Sequence, residues 1–241
     1  EIANLEELLK HEMARGISFD SHTGIGHTRW ATHGAPSDVN AHPHASEDGT
    51  VAIVHNGILE NFVELKQMLI AEYNVKFKSE TDSEVIAHLI AAHMKNYSKL
   101  ENAVYAATLE MRGAYALVVV SSKDPNKIVA VRKDAPLIAG IGKGENFIAS
   151  DIPALMKHCK EIYLIENGEM VVVTADEIKI YDEERNPVQR EVFHVTWDAD
   201  AAEKEGYSHF MLKEIHEQPK AISETLNRRL DENGLIKLDG I

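Results

Sequence analysis

The chain has 241 residues, 44% of them hydrophobic, which suits one large domain or two small ones around a substantial core. Lys and Arg number 25 against 39 Asp and Glu, and the formal charge of -14 repels phosphate backbones and anionic lipid, so neither nucleic acid nor a membrane is expected as a partner. The longest apolar runs, Ala114 to Val120 and Glu169 to Ala175, are strand-length and far short of a bilayer span.

The start, Glu1-Ile2-Ala3-Asn4, has none of the regions of a secretory signal, and the single cysteine, Cys159, cannot make an intramolecular disulfide. Both features point to a reducing, cytoplasmic setting. With no initiator Met and a beginning inside a periodic segment, we expect residues to precede Glu1. Ile2, Leu5, Leu8 or Leu9, and Met13 recur at helical spacing, which predicts an amphipathic helix ended by Gly16. Gly24-Ile25-Gly26-His27 reads as a short strand delivering the loop that follows.

That loop, His27-Thr28-Arg29-Trp30-Ala31-Thr32-His33-Gly34 with Ala35-Pro36-Ser37, joins a guanidinium, an indole, hydroxyls and two imidazoles, then closes on residues that bar helix or strand. Arg29 can grip a carboxylate through two parallel hydrogen bonds, Thr32 can add a hydroxyl, and Trp30 can wall a small ligand. The competing explanation is a surface Arg with a semi-buried Trp beside a turn. Farther on, Asn40-Ala41-His42-Pro43-His44 carries two imidazoles. Pro43 sets them apart and neither Cys nor carboxylate sits at ligand spacing, so no metal site is expected.

Val51 to Val54 is a continuous apolar run that predicts a buried strand stopping at His55-Asn56-Gly57. Asn-Gly is first a turn signal. It can also present a side-chain amide and an adjacent backbone N–H as two donors for a developing oxyanion. A hairpin needs a second strand straight after, whereas Glu60 to Glu72 has helical spacing at Phe62, Leu65 and Leu69. Val75 to Lys78 reads as a short strand. Ser79-Glu80-Thr81-Asp82-Ser83-Glu84 then enters a periodic helix through Val85, Ile86, Leu89 and Ile90, with Thr81 and Glu84 spaced as a capping box. Asp82 is either an acid at the positive end of the helix dipole or a partner for a ligand ammonium.

A further helix is predicted over Leu100 to Met111, broken by Arg112-Gly113 before a strand through Ala114 to Val120. The chain then turns β-rich, with strands read at Lys127–Lys133, Leu137–Ile141, Phe147–Ser150, Glu161–Ile165, Met170–Thr174 and Glu177–Tyr181. The glycines of Gly140-Ile141-Gly142-Lys143-Gly144 lack the ending of a phosphate loop. Asp151-Ile152-Pro153 should open a short helix ending near Cys159, whose role is packing. Asn186 to Glu205 reads as an extended surface segment. A helix begins at Phe210, with Pro219 ending or restarting it, and a second helical stretch runs to Leu230. Strands followed by helices without strict alternation argue for α+β with stacked sheets between helices.

The loop His27 to Gly34, His55-Asn56-Gly57, Ser79 to Glu84, Arg112 to Tyr115, Gly144 to Asp151 and Lys213-Glu214-Ile215-His216-Glu217-Gln218-Pro219 occur in this order. Together they resemble the glutaminase domain of the glutamine–fructose-6-phosphate aminotransferase (isomerizing), or glucosamine-6-phosphate synthase, family. The resemblance implies an N-terminal nucleophile hydrolase fold, a four-layer α/β/β/α sandwich of two mainly antiparallel sheets. It implies residues 1–206 as an N-terminally incomplete class II glutamine amidotransferase domain, and 207–241 as a linker toward a sugar isomerase domain.

It further implies that an N-terminal cysteine attacks the glutamine amide, with its own α-amino group, of ordinary pKa about 7.7 to 8.0, as base. Arg29 should bind the glutamine α-carboxylate with help from Thr32 and His33, and Trp30 should sit on the loop closing over the ligand. Asp82 should bind the α-ammonium, and Asn56 and Gly57 should form the oxyanion hole. No cofactor is implied. The ammonia should pass to fructose 6-phosphate, in a full-length enzyme expected to be a homodimer. The nucleophilic cysteine should lie a few dozen residues before Glu1, and Cys159 is no substitute, so the 241 residues alone are expected to be inactive. Two other readings compete: a glutamine-binding regulatory module without a nucleophile, and a sister amidotransferase with another acceptor.

Overall fold

The computed structural model describes residues 2–17, 21–28, 34–196, 206–227, 229–230 and 235–236, with side chains in the first helix from Glu6 onward. Residues 1–195 and 196–241 form two separate compact units. The first helix, α1 (Ile2–Ala14), runs to Gly16, whose φ of +84° ends it as its sequence suggests.

Among the described residues, eleven strands make two sheets in the first unit. Strands β1 (His44–Ala45), β2 (Val51–Leu59), β3 (Gly113–Ser121) and β4 (Ile128–Lys133) continue into β8 (Met170–Val173), β9 (Ile178–Tyr181) and β10 (Pro187–Val188), in that spatial order, as one seven-stranded antiparallel sheet. A four-stranded antiparallel sheet has the order β11 (Phe193–His194), β7 (Glu161–Leu164), β5 (Ile138–Ile141), β6 (Asn146–Ala149). Helices α2 (Phe62–Tyr73), α3 (Asp82–His93) and α4 (Leu100–Glu110) cover one face of the larger sheet.

Two apolar layers follow from this stacking. Ile53, Leu117, Val119 and Val129 of the large sheet meet Leu69, Ile86, Leu89, Ile90 and Leu100 of the helices. On the other face, Ala116, Ala130, Val171 and Ile180 meet Ala139 of the small sheet and Leu137 and Ile165, which adjoin β5 and β7. Each fully buried Ile or Leu contributes roughly 1.5–3 kcal/mol of transfer free energy, so these layers dominate the stability of the unit. Small residues between the sheets, Ala116, Ala130 and Ala139, let the two backbones approach closely. Beyond the small sheet, the chain from Ile152 to Cys159 packs against β5, close enough that a Cβ on Gly140 would lie 2.5 Å from Cys159 Sγ. Four layers result, the fourth made, among the described residues, of a single 3-10 turn (Ile152–Ala154) and the turns after it rather than the short helix expected there.

Several expectations are corrected. Gly24 to His27 forms no strand and joins neither sheet. Strand β2 does not stop at His55; it runs through Asn56-Gly57 to Leu59, pairing Asn56 with Ala116 and Gly57 with Tyr115. Long-range pairing with β3 overrides the local turn signal. Gly57 has φ +132° and Gly113 opposite has φ +129°, and a Cβ on either would collide with a carbonyl oxygen of the facing strand, Ala114 or Ile58. Glycine at both positions is what lets the ladder close there.

Val75 to Lys78 is not a strand either. Two of its donors are taken by carboxylates and a third by the preceding helix: Lys76 N–H donates to Glu47 (3.2 Å), Lys78 N–H to Glu84 (2.8 Å) and Val75 N–H to the Leu69 carbonyl (3.3 Å). Within Asn186 to Glu205, read as an extended surface segment, Pro187–Val188 and Phe193–His194 each add an edge strand. In the second unit, helix α5 (Phe210–Asn227) passes through Pro219 without ending. The proline removes one N–H, and on so exposed a helix water can take the carbonyl left over. No helix among the described residues is long and apolar enough to cross a membrane.

Candidate active site

The candidate site forms where β2 emerges from the core. Val51 to His55 are buried apart from the half-buried Ala52, Asn56 is half-buried, and Gly57 and Ile58 face outward. The strand end is anchored from behind. Asn61 accepts from Arg112 N–H and donates to the Glu110 carbonyl, both at 2.9 Å, while Glu60 N–H donates to the Arg112 carbonyl at 2.8 Å. Asn56 and Gly57 are thus held on rigid backbone.

Beside this strand end lies the start of α3. Thr81 caps the helix, accepting from Glu84 N–H at 3.3 Å. Glu84 reaches back past the cap to accept from Lys78 N–H, Ser79 N–H and the Ser79 hydroxyl. Burial alone would raise the Glu84 pKa, but hydrogen bonds from His88, Ser79 and the two backbone N–H groups outweigh it and hold the carboxyl at about 2. Asp82 is 3% exposed. Its Oδ2 accepts from Leu59 N–H at 2.8 Å, and its Oδ1 accepts a longer bond from the Ser83 hydroxyl at 3.4 Å. Among the described residues no cationic side chain pairs with it. A buried carboxylate two residues from Gly57 by way of Leu59, fixed but not neutralised, is suited to an incoming cation.

Histidines surround this helix start. The ring of His27 places Nε2 2.7 Å from Asn56 Oδ1 and packs on His42 at 4.5 Å between centroids. His42 Nε2 and His55 Nδ1 lie 3.1 and 2.9 Å from the Ser83 hydroxyl, and His44 Nε2 lies 3.1 Å from the Thr81 hydroxyl. Pro43 does not separate the two imidazoles beside it: they meet edge to face at 4.9 Å. Their nitrogens address the hydroxyls of α3. Among the described residues, no cluster of three or more His, Cys, Asp or Glu is arranged for a metal ion.

A cavity of about 210 Å3 opens between the sheets, lined by Gly26 and His27, by His55 and Asn56 of β2, and by Phe147 and Ile148 of β6. Of the expected site residues, Asn56 lines this cavity; Gly57 follows it on β2, and Asp82 is not on the cavity wall but bonds the N–H of Leu59, two residues beyond Gly57. Arg29, Trp30, Thr32 and His33 lie outside the described residues. His27, His42 and Ser83 carry much of the geometry without having been singled out as site residues. A visible signal was the run Ser79-Glu80-Thr81-Asp82-Ser83-Glu84, which holds more hydroxyls and carboxylates than one helix cap uses. Cys159 is buried, and burial together with nearby Glu145 pushes its thiol pKa up, the reverse of what a nucleophile needs.

Two antiparallel sheets face to face, helices over the larger one, and a polar site at the emerging end of β2 define a hydrolase-type amidotransferase sandwich, the N-terminal nucleophile hydrolase fold. Solved structures agree: the chain is similar to one titled as the allosteric regulatory enzyme of purine biosynthesis (TM-score 0.55, 25% identity, 66% of this chain and 35% of that one). It shares its fold also with the glutamine phosphoribosylpyrophosphate amidotransferase from B. subtilis (TM-score 0.54, 24% identity, 67% of this chain and 35% of that one).

Residues 12–193 match the glutamine amidotransferase domain family, and the chain belongs to it. Over 240 residues it is 53% identical to a glutamine–fructose-6-phosphate aminotransferase (isomerizing) of Clostridium tetani, covering 100% of this chain and 38% of that protein. It is also 53% identical over 212 residues to the enzyme of that name from Aquifex aeolicus, covering 88% of this chain and 35% of that protein. The chain spans less than two fifths of the length of these relatives.

Proposed function

We propose that this chain is the glutaminase part of an enzyme that releases ammonia from glutamine and passes it to fructose 6-phosphate, yielding glucosamine 6-phosphate. The observation that carries the glutamine reading is Asp82, a buried carboxylate oriented by Leu59 N–H and the Ser83 hydroxyl, with no cationic side chain paired to it among the described residues; its role is to hold the ligand ammonium. Asn56 and Gly57, at the emerging end of β2, supply the side-chain amide and backbone N–H that face the carbonyl oxygen as it becomes an oxyanion. Arg29, with Thr32 and His33, holds the α-carboxylate, and Trp30 closes over the ligand.

In the chemistry so served, a cysteine thiol supplied from outside residues 1–241 adds to the amide carbon, and the proton it gives up goes to the leaving nitrogen. The C–N bond breaks and ammonia departs; water then cleaves the thioester to glutamate and restores the thiol. The fructose 6-phosphate acceptor and a homodimeric, cytoplasmic enzyme rest on the likeness to the named aminotransferases. Residues 1–206 serve the glutaminase and 207–241 lead toward the acceptor domain.

The full-length protein containing this chain, given glutamine and fructose 6-phosphate, should form glutamate and glucosamine 6-phosphate in equal amounts. Arg29→Ala should abolish glutamine use while ammonia-dependent synthesis persists. Glutamate release without any amino sugar would favour a different acceptor. Glutamine binding without release would favour a regulatory module.

A further inference from the structure

We propose that His27 is a positioning residue that sets which way the Asn56 side-chain amide faces. The inference rests on the reading of Asn56 as an oxyanion donor and adds the group that makes it one. An amide side chain has two nearly isosteric ends, and its terminal torsion is broad, so only its partners decide whether oxygen or N–H2 points into a cleft. An oxyanion needs the N–H2 end; the carbonyl end would repel it.

The backbone of Asn56 is fixed by its pairing with Ala116, which leaves the amide torsion as the freedom to be removed. His27 Nε2 lies 2.7 Å from Asn56 Oδ1. The oxygen can only accept, so the ring must donate from Nε2. With its oxygen engaged by His27, Asn56 is left with its N–H2 as the end available to a ligand. Both the neutral Nε2–H tautomer and the imidazolium can make this bond, so the role calls for a donor and not for a charge.

His27 is itself backed. It sits on a segment outside both sheets, and the His42 ring packs against it at 4.5 Å with a 47° tilt. His42 in turn is tied to α3 through Ser83. The orientation of the amide on β2 is therefore referred, through two rings and one hydroxyl, to the helix start that carries Asp82. Both polar ends of the site share one support.

The test is steady-state glutamine hydrolysis by the full-length protein in four variants: Asn56→Ala, His27→Ala, His27→Gln and the double variant His27→Ala/Asn56→Ala. Losing an oxyanion donor costs about 100- to 1000-fold in kcat, the effect expected for Asn56→Ala. His27→Ala should lower kcat by roughly 10- to 100-fold, a large part of that effect, with the glutamine KM little changed. His27→Gln, an uncharged donor of similar reach, should recover most of the loss. The double variant should be no slower than Asn56→Ala, since a positioning group has nothing left to position. Unchanged kcat in His27→Ala overturns the proposal, and so does a further loss in the double variant, which would mean that His27 acts independently of the amide. If Asn56→Ala itself keeps full kcat, the oxyanion reading fails first, and that outcome is distinct from a failure of His27 alone.

Discussion

Helices α3 and α4 pack against each other on the same face of the same sheet, yet they begin in opposite ways. α4 starts at Lys99 with no side-chain cap, in an extended conformation that a capping residue could adopt. α3 starts at Thr81 with a cap, a back-reaching Glu84 and buried Asp82 and Ser83, and hydroxyls at its start contact three imidazoles. Holding a helix end needs only one or two of these groups. The rest serve the neighbouring strand end and the space beside it: polar groups are buried where the site is, and α4, facing no site, does without.

The contrast breaks most sharply at Asp82. If its charge is there for a ligand, Asp82→Asn should raise the glutamine KM by on the order of 100-fold or more, as expected when one partner of a buried charge pair is lost. The asparagine can still accept from Leu59 N–H, so unfolding should change little. An unaltered KM would return Asp82 to a purely structural role.

Glu84→Gln tests the structural half of the same cluster. Its carboxyl sits at about 2 against an ordinary 4.5, equivalent to about 3 kcal/mol of folding stability at neutral pH. Because the folded-state pKa is depressed, this contribution is complete above pH 4.5 and is lost as the pH falls toward 2. Denaturant unfolding across that range should show the gap between wild type and Glu84→Gln narrowing. A gap independent of pH would mean that packing, not charge, is what the substitution removes.

The smallest effects sharpen the comparison at the caps. Thr81→Ala should cost about 1 kcal/mol, and Lys99→Asp should stabilise the uncapped α4 by roughly 0.5–1 kcal/mol. Unfolding midpoints report both. If Lys99→Asp gains nothing, the start of α4 is satisfied by another route.

Much of the architecture was legible wherever a segment decides its own conformation. The apolar runs of β3, β4, β7 and β8 and the spacing of Val85, Ile86, Leu89 and Ile90 gave their elements within a residue or two, and Thr81 with Glu84 announced the start of α3. What could not be read depends on distant partners. Strand β2 continues past an Asn-Gly pair because β3 waits alongside with its own glycine at 113. Val75 to Lys78 has strand-like side chains but gives its Lys76 and Lys78 N–H groups to Glu47 and Glu84 and its Val75 N–H to Leu69. Pro219 marks a helix end only when nothing hydrates the carbonyl it orphans. In the site, Asn56, Gly57 and Asp82 were visible as chemistry, whereas His42 and Ser83 matter only through where β1 and α3 meet.

The seclusion of Cys159 beneath the turns that follow Ile152 also makes it an instrument. Its Sγ is buried and pressed toward Gly140, so alkylation followed at the peptide that carries Cys159, apart from the nucleophilic cysteine proposed outside residues 1–241, should speed up when the chain over β5 lifts away. The rate of alkylation under native conditions is then a clock for the opening of the outermost layer, read against the rate in denaturant. Recorded with and without glutamine, it would tell whether filling the opposite side of the small sheet quiets that layer.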